Sequence, residues 1–372
     1  MFGNSGNFAQ KPENLSVRLA KTIMQRHPDP NNYPWRSWCY PQGFMLMGMA
    51  KLFSTTNDSV YYSYILKYAD EQVDSLGNLN KFTGNSMDDM MAGSVVVWAY
   101  RQTGLEKYRR AADQIKEAFP DYPRTSDSLF WHGRKTKGEV WVDGVFMGQM
   151  FLTNYRKYIE DDKYCFDEAA RQLIGIYNRL QKGKSGLLYH AWDEDREAKW
   201  ADPLTGLSPE VWSEGLGWYA LILVETLEIF PQDHPRRTEL EQICQSLMSG
   251  LRKVQDRRTG LWSQVVDKGD RPDNWHDTSG SAMFLYAIKK AVELGLIPER
   301  QFNMVVKKAY QGMLTKTVIS QSDGLIDVID ACDGLCVQPS YEAYINYPKK
   351  INAKEAVAGV LWASWIMEKP LK

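Results

Sequence analysis

One type of segment recurs six times along the chain and is apolar on nearly every side. Each copy has an aromatic or acidic residue in its opening segment, continues with Gly or another small residue, and then runs into a long apolar stretch. An all-round apolar pattern indicates a buried helix, and small residues let such helices pack closely. The copies, predicted to be six inner helices, are WCYPQGFMLMGMAKLF, SMDDMMAGSVVVWAY, WVDGVFMGQMFLTNY, WSEGLGWYALILVE, WHDTSGSAMFLYAIKKA and NAKEAVAGVLWASWIM, which begin at Trp38, Ser86, Trp141, Trp212, Trp275 and Asn352.

Amphipathic segments separate these copies. Their apolar residues recur at i, i+3 and i+4, as in LEKYRRAADQIKEAF and TELEQICQSLMSGLRKVQ, which is typical of helices with one solvent-exposed face. Short hairpin signals follow most of them, such as KSGLLYH from Lys184 and SDGLIDV from Ser322. The alternation predicts an all-α fold: an (α/α)6 toroid of six inner and six outer helices, with short β pieces in the loops. We expect residues 1–372 to form one barrel domain.

Charge and hydropathy exclude several classes of partner. The chain has 45 basic and 46 acidic residues, so no overall field attracts nucleic acid or an anionic membrane surface. No apolar run approaches the roughly 20 residues that a membrane span needs. The N-terminal sequence MFGNSGNFAQKPENLS lacks the basic and apolar regions of a signal peptide. We therefore expect a cytoplasmic protein, or a periplasmic one if a signal peptide has been removed.

Motifs for metals and cofactors are missing as well. The five cysteines are dispersed without CxxC spacing, so neither a disulfide framework nor a zinc site is predicted. The sequence contains no GxxxxGK[ST], GxGxxG, GxSxG or HExxH motif. We therefore predict no cofactor and no metal, and we expect a small ligand as the partner.

In a toroid with parallel inner helices, their N-termini meet at one mouth, where a site would form. Six acids stand at or near five of these starts: Asp88, Asp89, Asp143, Glu214, Asp277 and Glu355. Helix capping explains any one of them, because acids are favoured in a first turn. Asp143 stands out because it lies in the apolar stretch VWVDGVFMG, where a carboxylate is costly to bury unless it is used. Asp88 is its natural partner one repeat earlier, whereas Asp89 should face elsewhere.

Histidines and aromatic residues complete the candidate site. His132 in LFWHGRK and His190 in LLYHAWDED occupy matching positions before successive inner helices, which suggests a shared site. No third ligand with metal-binding spacing accompanies them. Flat aromatic rings stack well on sugars, although packing inside the ring is the competing explanation. The aromatic candidates are Tyr40, Trp141, Trp212 and Trp218.

Four segments carry a family resemblance. WVDGVFMG, LLYHAWDE, PEVWSEGLGWY and QVVDKGDRPDNWHDTSGS, in this order, resemble the unsaturated rhamnogalacturonyl hydrolases of glycoside hydrolase family 105. That family is related to the unsaturated glucuronyl hydrolases of family 88. The resemblance extends from about Arg18 to near the C-terminus. It implies an (α/α)6 barrel that removes a 4,5-unsaturated uronic acid from the nonreducing end of lyase-generated oligosaccharides, such as those from pectin.

The resemblance also implies roles for individual residues. The acid that matches Asp143 protonates C4 of the vinyl ether and then, as a carboxylate, activates water to add at C5. An acid that first gives and then takes a proton needs a raised pKa, and burial beside Val140, Trp141 and Val142 would raise that of Asp143. Asp88 matches the second acid of the family. The residues that fall where relatives line the sugar pocket are Tyr40, His132, His190, Trp212 and Trp218.

Glu214 departs from the family pattern. Relatives commonly carry Arg in a W-x-R-G/S-x-G-W segment, where this chain has WSEGLGW. A carboxylate there would repel a uronate at close range, unless it faces away, pairs with a cation or binds hydroxyls. Glu214 is therefore a candidate substrate-binding residue that puts the identity of the substrate in doubt.

Three alternatives remain open at this stage. A sugar 2-epimerase on the same toroid would use His132 and His190 as bases, and a glycosidase for saturated sugars would use the paired carboxylates. A non-catalytic helical scaffold could also bind saccharides. The concentration of acids at one end of a closed ring favours an enzyme.

Overall fold

The computed structural model describes residues 13–159 and 163–370, whose helices alternate between two layers. Residues 1–12, most of the segment examined for a signal peptide, lie outside this part. The inner helices are α2 (Tyr40–Thr56), α4 (Gly93–Thr103), α6 (Gly144–Tyr158), α8 (Ser213–Ile229), α10 (Thr278–Glu293) and α13 (Lys354–Glu368). The outer helices are α1 (Leu15–Arg26), α3 (Ser59–Gln72), α5 (Glu106–Glu117), α7 (Lys163–Leu180), α9 (Arg237–Val254) and α11 (Glu299–Leu314).

The inner helices form a closed ring. Each packs against the next along the chain, and the last, α13, packs against the first, α2. Each outer helix covers an inner neighbour, and α1 covers α13. The predicted (α/α)6 toroid is confirmed. The sixth outer helix, α1, precedes the first apolar copy and thus completes the outer layer from the other end of the chain.

Burial follows the sequence pattern. In α5 the buried residues are Tyr108, Ala111, Ala112 and Ile115, at the i, i+3, i+4, i+7 spacing of a single stripe. In α8, by contrast, buried residues cover every side of the helix, including Leu216, Leu221 and Val224. The core therefore lies between the two layers and fills the centre of the ring.

Hydrogen bonds to one side chain join the first and last helices. The Glu368 carboxylate accepts hydrogen bonds from the backbone N–H groups of Leu15 and Ser16, each at 2.9 Å, and from the Ser16 hydroxyl at 2.6 Å. Asn14, at the N-cap position, makes no capping bond with its own side chain. The start of α1 is thus capped from the end of α13.

The hairpin signals form turns that pack against the next outer helix. Gly186 and Gly260 both have positive φ, +80° and +78°, and a Cβ at either would lie 2.2–2.3 Å from the carbonyl oxygen of Ser246 or Lys308. Only glycine tolerates both the positive φ and the close approach of the carbonyl oxygen. Regular strands are short: β1 (Glu139–Trp141) pairs antiparallel with β2 (Ala191–Asp193), and β3 (Thr317–Ile319) pairs with β4 (Ile326–Val328).

One further helix, α12 (Tyr341–Ile345), lies in the long connection between β4 and α13. In the described part of the chain, no helix is long and apolar enough to cross a membrane. Four of the five cysteines are buried, and Cys336 is exposed.

Candidate active site

Backbone hydrogen bonds hold the two histidines on either side of Asp143. The His132 carbonyl accepts from Met87 N–H at 2.9 Å, and His132 N–H donates to the Glu139 carbonyl at 2.8 Å. The His190 carbonyl accepts from Val142 N–H at 2.8 Å, next to the β1–β2 ladder. The extended loops before α4, α6 and α8 are thus joined at one mouth, as the toroid predicts.

Asp143 directly precedes α6 but makes no capping hydrogen bond to the residues described. Asp143 is 9% exposed, and its carboxylate lies between two imidazoles. His190 Nε2 is 3.6 Å from Oδ1, and His132 Nδ1 is 3.9 Å from Oδ2. Among the described residues, Oδ1 has no hydrogen-bond partner within normal distance. The carboxylate therefore does not act as a helix cap, unlike most acids at such a position.

The pKa of Asp143 is lowered, contrary to the expectation from its apolar neighbours in sequence. Burial alone would raise this pKa, but the interactions with His190 and His132 outweigh it. The expectation failed because Val140, Trp141 and Val142 supply only the desolvation. The interactions that decide the shift, a long hydrogen bond from His190 and the electrostatic effect of His132, come from other loops.

Asp88 is the carboxyl whose pKa is raised. It lies in a 3₁₀ turn, Met87–Asp89, that precedes α4, not in the helix itself, and its Oδ1 is 4.0 Å from His132 Nε2. Burial and the negative charges of Asp143 and Asp89 raise its pKa to about 6, against the opposing effects of His132 and Arg36. Asp88 and Asp143 thus differ in protonation tendency, as acid and base chemistry requires.

Asp89 faces elsewhere, as expected. Its carboxylate accepts a hydrogen bond from the Thr83 hydroxyl and is buried, whereas the Asp88 side chain is 21% exposed.

Aromatic rings form the walls around the histidines. Trp141 stacks on His132 with 4.0 Å between ring centroids and 11° between planes, and its edge meets His190 at 5.9 Å. Its indole N–H donates to Glu139 at 2.8 Å, which fixes the ring. The ring centroid of Trp212 lies 4.5 Å from that of His190. The structure therefore brings Asp88, Asp143, both histidines and two of the aromatic candidates together.

Tyr40 and Glu214 belong to a second group of polar residues, which lies beside the group formed by Asp88, Asp143 and the two histidines. The Tyr40 hydroxyl donates to Glu355 Oε1 at 2.6 Å, and Lys354 Nζ lies 2.9 Å from the same oxygen. The Ser279 hydroxyl on α10 lies 2.8 Å from Glu214 Oε2. Glu214 is therefore engaged by α10 rather than by the two histidines.

Glu214 is a buried carboxyl whose hydrogen bond and nearby cation do not offset the cost of burying a charge. Burial, together with the nearby negative charges of Glu355 and Asp277, raises its pKa well above the usual range. Burial also raises the pKa of Glu355, although Lys354 and Tyr40 oppose the shift. A neutral Glu214 does not repel a uronate in the way that a carboxylate would.

Trp218 lies deeper than the other aromatic candidates. It is 1% exposed and packs against Phe44 and Phe146 at centroid distances of 4.6 and 4.7 Å, with its edge 5.9 Å from Tyr40. This placement favours the packing explanation for Trp218, and its contact with substrate stays a prediction.

Asp277, unlike Asp143, is a helix cap. Its carboxylate accepts from the backbone N–H groups of Ser279 and Gly280, and from that of Cys332 at 3.0 Å. It therefore caps α10 and also ties down the connection between β4 and α13.

Three atoms of the site are close enough for a cation to bridge them. One oxygen each of Asp88 and Asp143 and one nitrogen of His132 lie within 4.8 Å of one another. Sequence spacing did not reveal this group, because its members come from separate loops. The absence of a metal from the reaction stays a prediction.

Sequence reasoning missed one residue of the site. The Tyr344 hydroxyl lies 2.8 Å from His190 Nδ1, and Tyr344 is fully buried. It stands in the irregular stretch SYEAYINYP, which has neither a repeat position nor a periodic pattern to mark it.

The chain belongs to Glycosyl Hydrolase Family 88, whose model matches residues 15–371. A solved glycoside hydrolase of family 105 from C. acetobutylicum is 32% identical, with a TM-score of 0.89, over 96% of this chain and 99% of that one. The resemblance to families 105 and 88 is thereby confirmed.

Two curated relatives match most of the chain. The unsaturated rhamnogalacturonyl hydrolase YesR of Bacillus subtilis is 25% identical over 321 residues, which are 84% of this chain and 85% of that protein. An unsaturated 3S-rhamnoglycuronyl hydrolase of Formosa agariphila is 24% identical over 326 residues, 82% of this chain and 81% of that protein.

Proposed function

We propose that the protein is an unsaturated uronyl hydrolase, which releases a 4,5-unsaturated uronic acid from the nonreducing end of oligosaccharides. The observation that carries this function is the buried carboxylate of Asp143, held between His132 and His190 without a capping role. The relatives named as unsaturated rhamnogalacturonyl and rhamnoglycuronyl hydrolases support it. The whole barrel serves as one catalytic domain, without a cofactor.

The first step is protonation of the double bond. An anionic uronate that docks beside Asp143 raises the pKa of this residue, because like charges disfavour two ionised carboxylates. Asp143 then carries a proton and delivers it to C4 of the vinyl ether. The C4–H bond forms as the double bond breaks, and the positive charge that develops at C5 is shared with the ring oxygen.

The second step is addition of water. Asp143, now a carboxylate, takes a proton from a water molecule whose oxygen bonds to C5, which gives a hemiketal. The hemiketal opens and expels the remaining sugar. One carboxyl thus gives and takes a proton in turn, and Asp88, with its pKa near 6, tunes Asp143 by its charge and binds a substrate hydroxyl.

The walls of the site suit an unsaturated sugar ring. Tyr40 and Trp141 are partly exposed and offer aromatic surface, and His132 offers hydrogen bonds to hydroxyl and carboxylate oxygens. Trp212 and His190 are buried behind this surface, and their contact with substrate stays a prediction. Trp218 and Glu214 shape the wall behind Tyr40 and meet the substrate only at its edge.

The test follows the conjugated alkene-carboxylate of the substrate. Its ultraviolet absorbance should disappear when the enzyme meets lyase-generated oligosaccharides from pectin, from glycosaminoglycans or from ulvan, and should persist with an Asp143→Asn variant. No loss of absorbance with any of the three panels would overturn the proposed function.

The arrangement of the histidines argues against an epimerase. Two bases of an epimerase must address one carbon from opposite faces, but both imidazoles here lie within 4 Å of the same Asp143 carboxylate. NMR of the products distinguishes the two reactions, since an epimerase leaves the glycosidic bond intact. Unchanged saccharide after long incubation would instead indicate the binding scaffold.

A further inference from the structure

The connection between β4 and α13 covers part of the mouth with a small core of its own. Trp212 lies in this core rather than in the main one, and α12 contributes two tyrosines to it. The buried residues of this cluster are Trp212, Val265, Cys332, Leu335, Tyr341 and Tyr344. Tyr344 is thereby fixed against the ring of His190, with 5.9 Å between centroids.

The hydroxyl of Tyr344 has two neighbours among the described residues. It lies 2.8 Å from His190 Nδ1 and 3.3 Å from the backbone nitrogen of Gln338. An amide N–H can only donate, so the phenolic oxygen is the acceptor in the second contact. The hydroxyl hydrogen has no other acceptor within hydrogen-bond distance in the described chain. It therefore points to Nδ1, because a buried donor left unpaired is costly.

The state of His190 follows from that hydrogen bond. If Nδ1 accepts, the hydrogen of the neutral imidazole lies on Nε2, the nitrogen that is 3.6 Å from Asp143 Oδ1. We infer that Tyr344 is a positioning residue, which holds His190 in the Nε2–H tautomer with this N–H directed at Asp143. Burial lowers the pKa of His190, which agrees with a neutral ring.

The consequence concerns the two oxygens of Asp143, and it rests on the proposed function. Oδ1 is buried beside a donor that Tyr344 fixes, whereas Oδ2 lies 3.9 Å from His132, whose ring nitrogen there has no hydrogen-bond partner among the described residues to fix its tautomer. A proton bound to Oδ1 would meet the hydrogen on Nε2. The oxygen that gives and takes the proton is therefore Oδ2, and the tautomer of His190 selects it.

The direct test is the tautomer itself, observed without substrate. Protein labelled with ¹⁵N-histidine, examined by long-range ¹H–¹⁵N NMR near neutral pH, should show His190 with a hydrogen on Nε2 and none on Nδ1. The chain has only five histidines, and a His190→Gln variant assigns the signal. In Tyr344→Phe the signal should move towards the Nδ1–H form. A hydrogen on Nδ1 in the parent protein, or an unchanged tautomer in Tyr344→Phe, would overturn the inference.

Kinetics supply the second readout. In Tyr344→Phe, kcat should fall by about tenfold, the effect of one misplaced hydrogen bond, with KM within about twofold. The matched control is Tyr341→Phe, which removes a hydroxyl from the same helix that donates to Asp273 at 2.9 Å and has no contact with His190. This control should keep the parent tautomer and kcat. An equal loss of kcat in both variants would show that only the fold of α12 matters.

The two proposals fail in different ways. If the absorbance assay finds no substrate, the proposed function fails, while the NMR spectrum still decides the tautomer. If substrate is consumed but His190 carries its hydrogen on Nδ1, only the role of Tyr344 is lost.

Discussion

His190 Nε2 and Asp143 Oδ1 lie 3.6 Å apart, and the two residues come from loops before different inner helices. Together with His132, this pair keeps the pKa of Asp143 low in spite of burial. The free enzyme therefore holds Asp143 ionised and Asp88 as the more readily protonated acid. In the proposed mechanism, substrate binding rather than the resting site must supply the change that lets Asp143 act as a proton donor.

Replacement of Asp143 tests its place in the chemistry. In Asp143→Asn we expect kcat to fall at least about 100-fold, because the amide can neither give nor take the proton. The absorbance assay measures this loss, and circular dichroism checks that the fold persists. Asp202→Asn, which changes an exposed loop acid in the same way, should behave like the parent protein. Near-normal turnover in Asp143→Asn would contradict the assigned role.

The raised pKa of Asp88 makes stability depend on pH. With a pKa of about 6 in the folded state and about 4 in the unfolded chain, the folded state binds more protons between these values. Stability should therefore fall as pH rises from 4 to 6, by about 1 to 3 kcal/mol from this group. Asp88→Asn removes the effect, so the variant should gain stability relative to the parent at pH 7 but not at pH 4. Urea unfolding at several pH values measures the difference, and a pH-independent difference would speak against the shift.

Glu214 should change stability with pH in the same direction and for the same reason. Burial and its acidic neighbours raise its pKa well above the usual range, so folding keeps it neutral where the unfolded chain ionises it. Glu214→Gln mimics the neutral form. We expect the variant to be more stable than the parent at pH 8, by at least about 1 kcal/mol, and the gain to shrink towards pH 4. If the gain were absent at pH 8, a charged Glu214 paired with a cation would be the better description.

Asp277 should matter for stability through its cap. Asp277→Ala removes an acceptor from the backbone N–H groups of Ser279, Gly280 and Cys332, and we expect a loss of about 2 kcal/mol. Asp277→Asn keeps a capping oxygen and should lose less. Urea unfolding of the two variants provides the comparison, and equal losses would mean that the carboxylate charge, not the cap, is what counts.

The architecture could be predicted because the six apolar copies differ in kind from the amphipathic segments between them. That contrast gave the ring, its mouth and the acids around it, including Asp143 and Asp88. The same information misjudged the pKa of Asp143, because residues beside it in the chain contribute only burial, whereas the opposing interactions with His190 and His132 come from other loops. Tyr344 could not be found at all. It acts on His190 from a stretch without periodicity, and only the folded ring brings the two together.

The closed ring also sets the order in which the site can be completed. Glu368 caps α1, and the Tyr40 hydroxyl at the start of the first inner helix donates to Glu355 at the start of the last. Contacts that join opposite ends of a chain cannot form until the ribosome has released the final helix. A nascent chain can bring Asp88, His132 and Asp143 together early. The hydrogen bond of Tyr40 requires α13, so a product truncated before α13 would carry Asp88 and Asp143 without the Tyr40–Glu355 contact beside them.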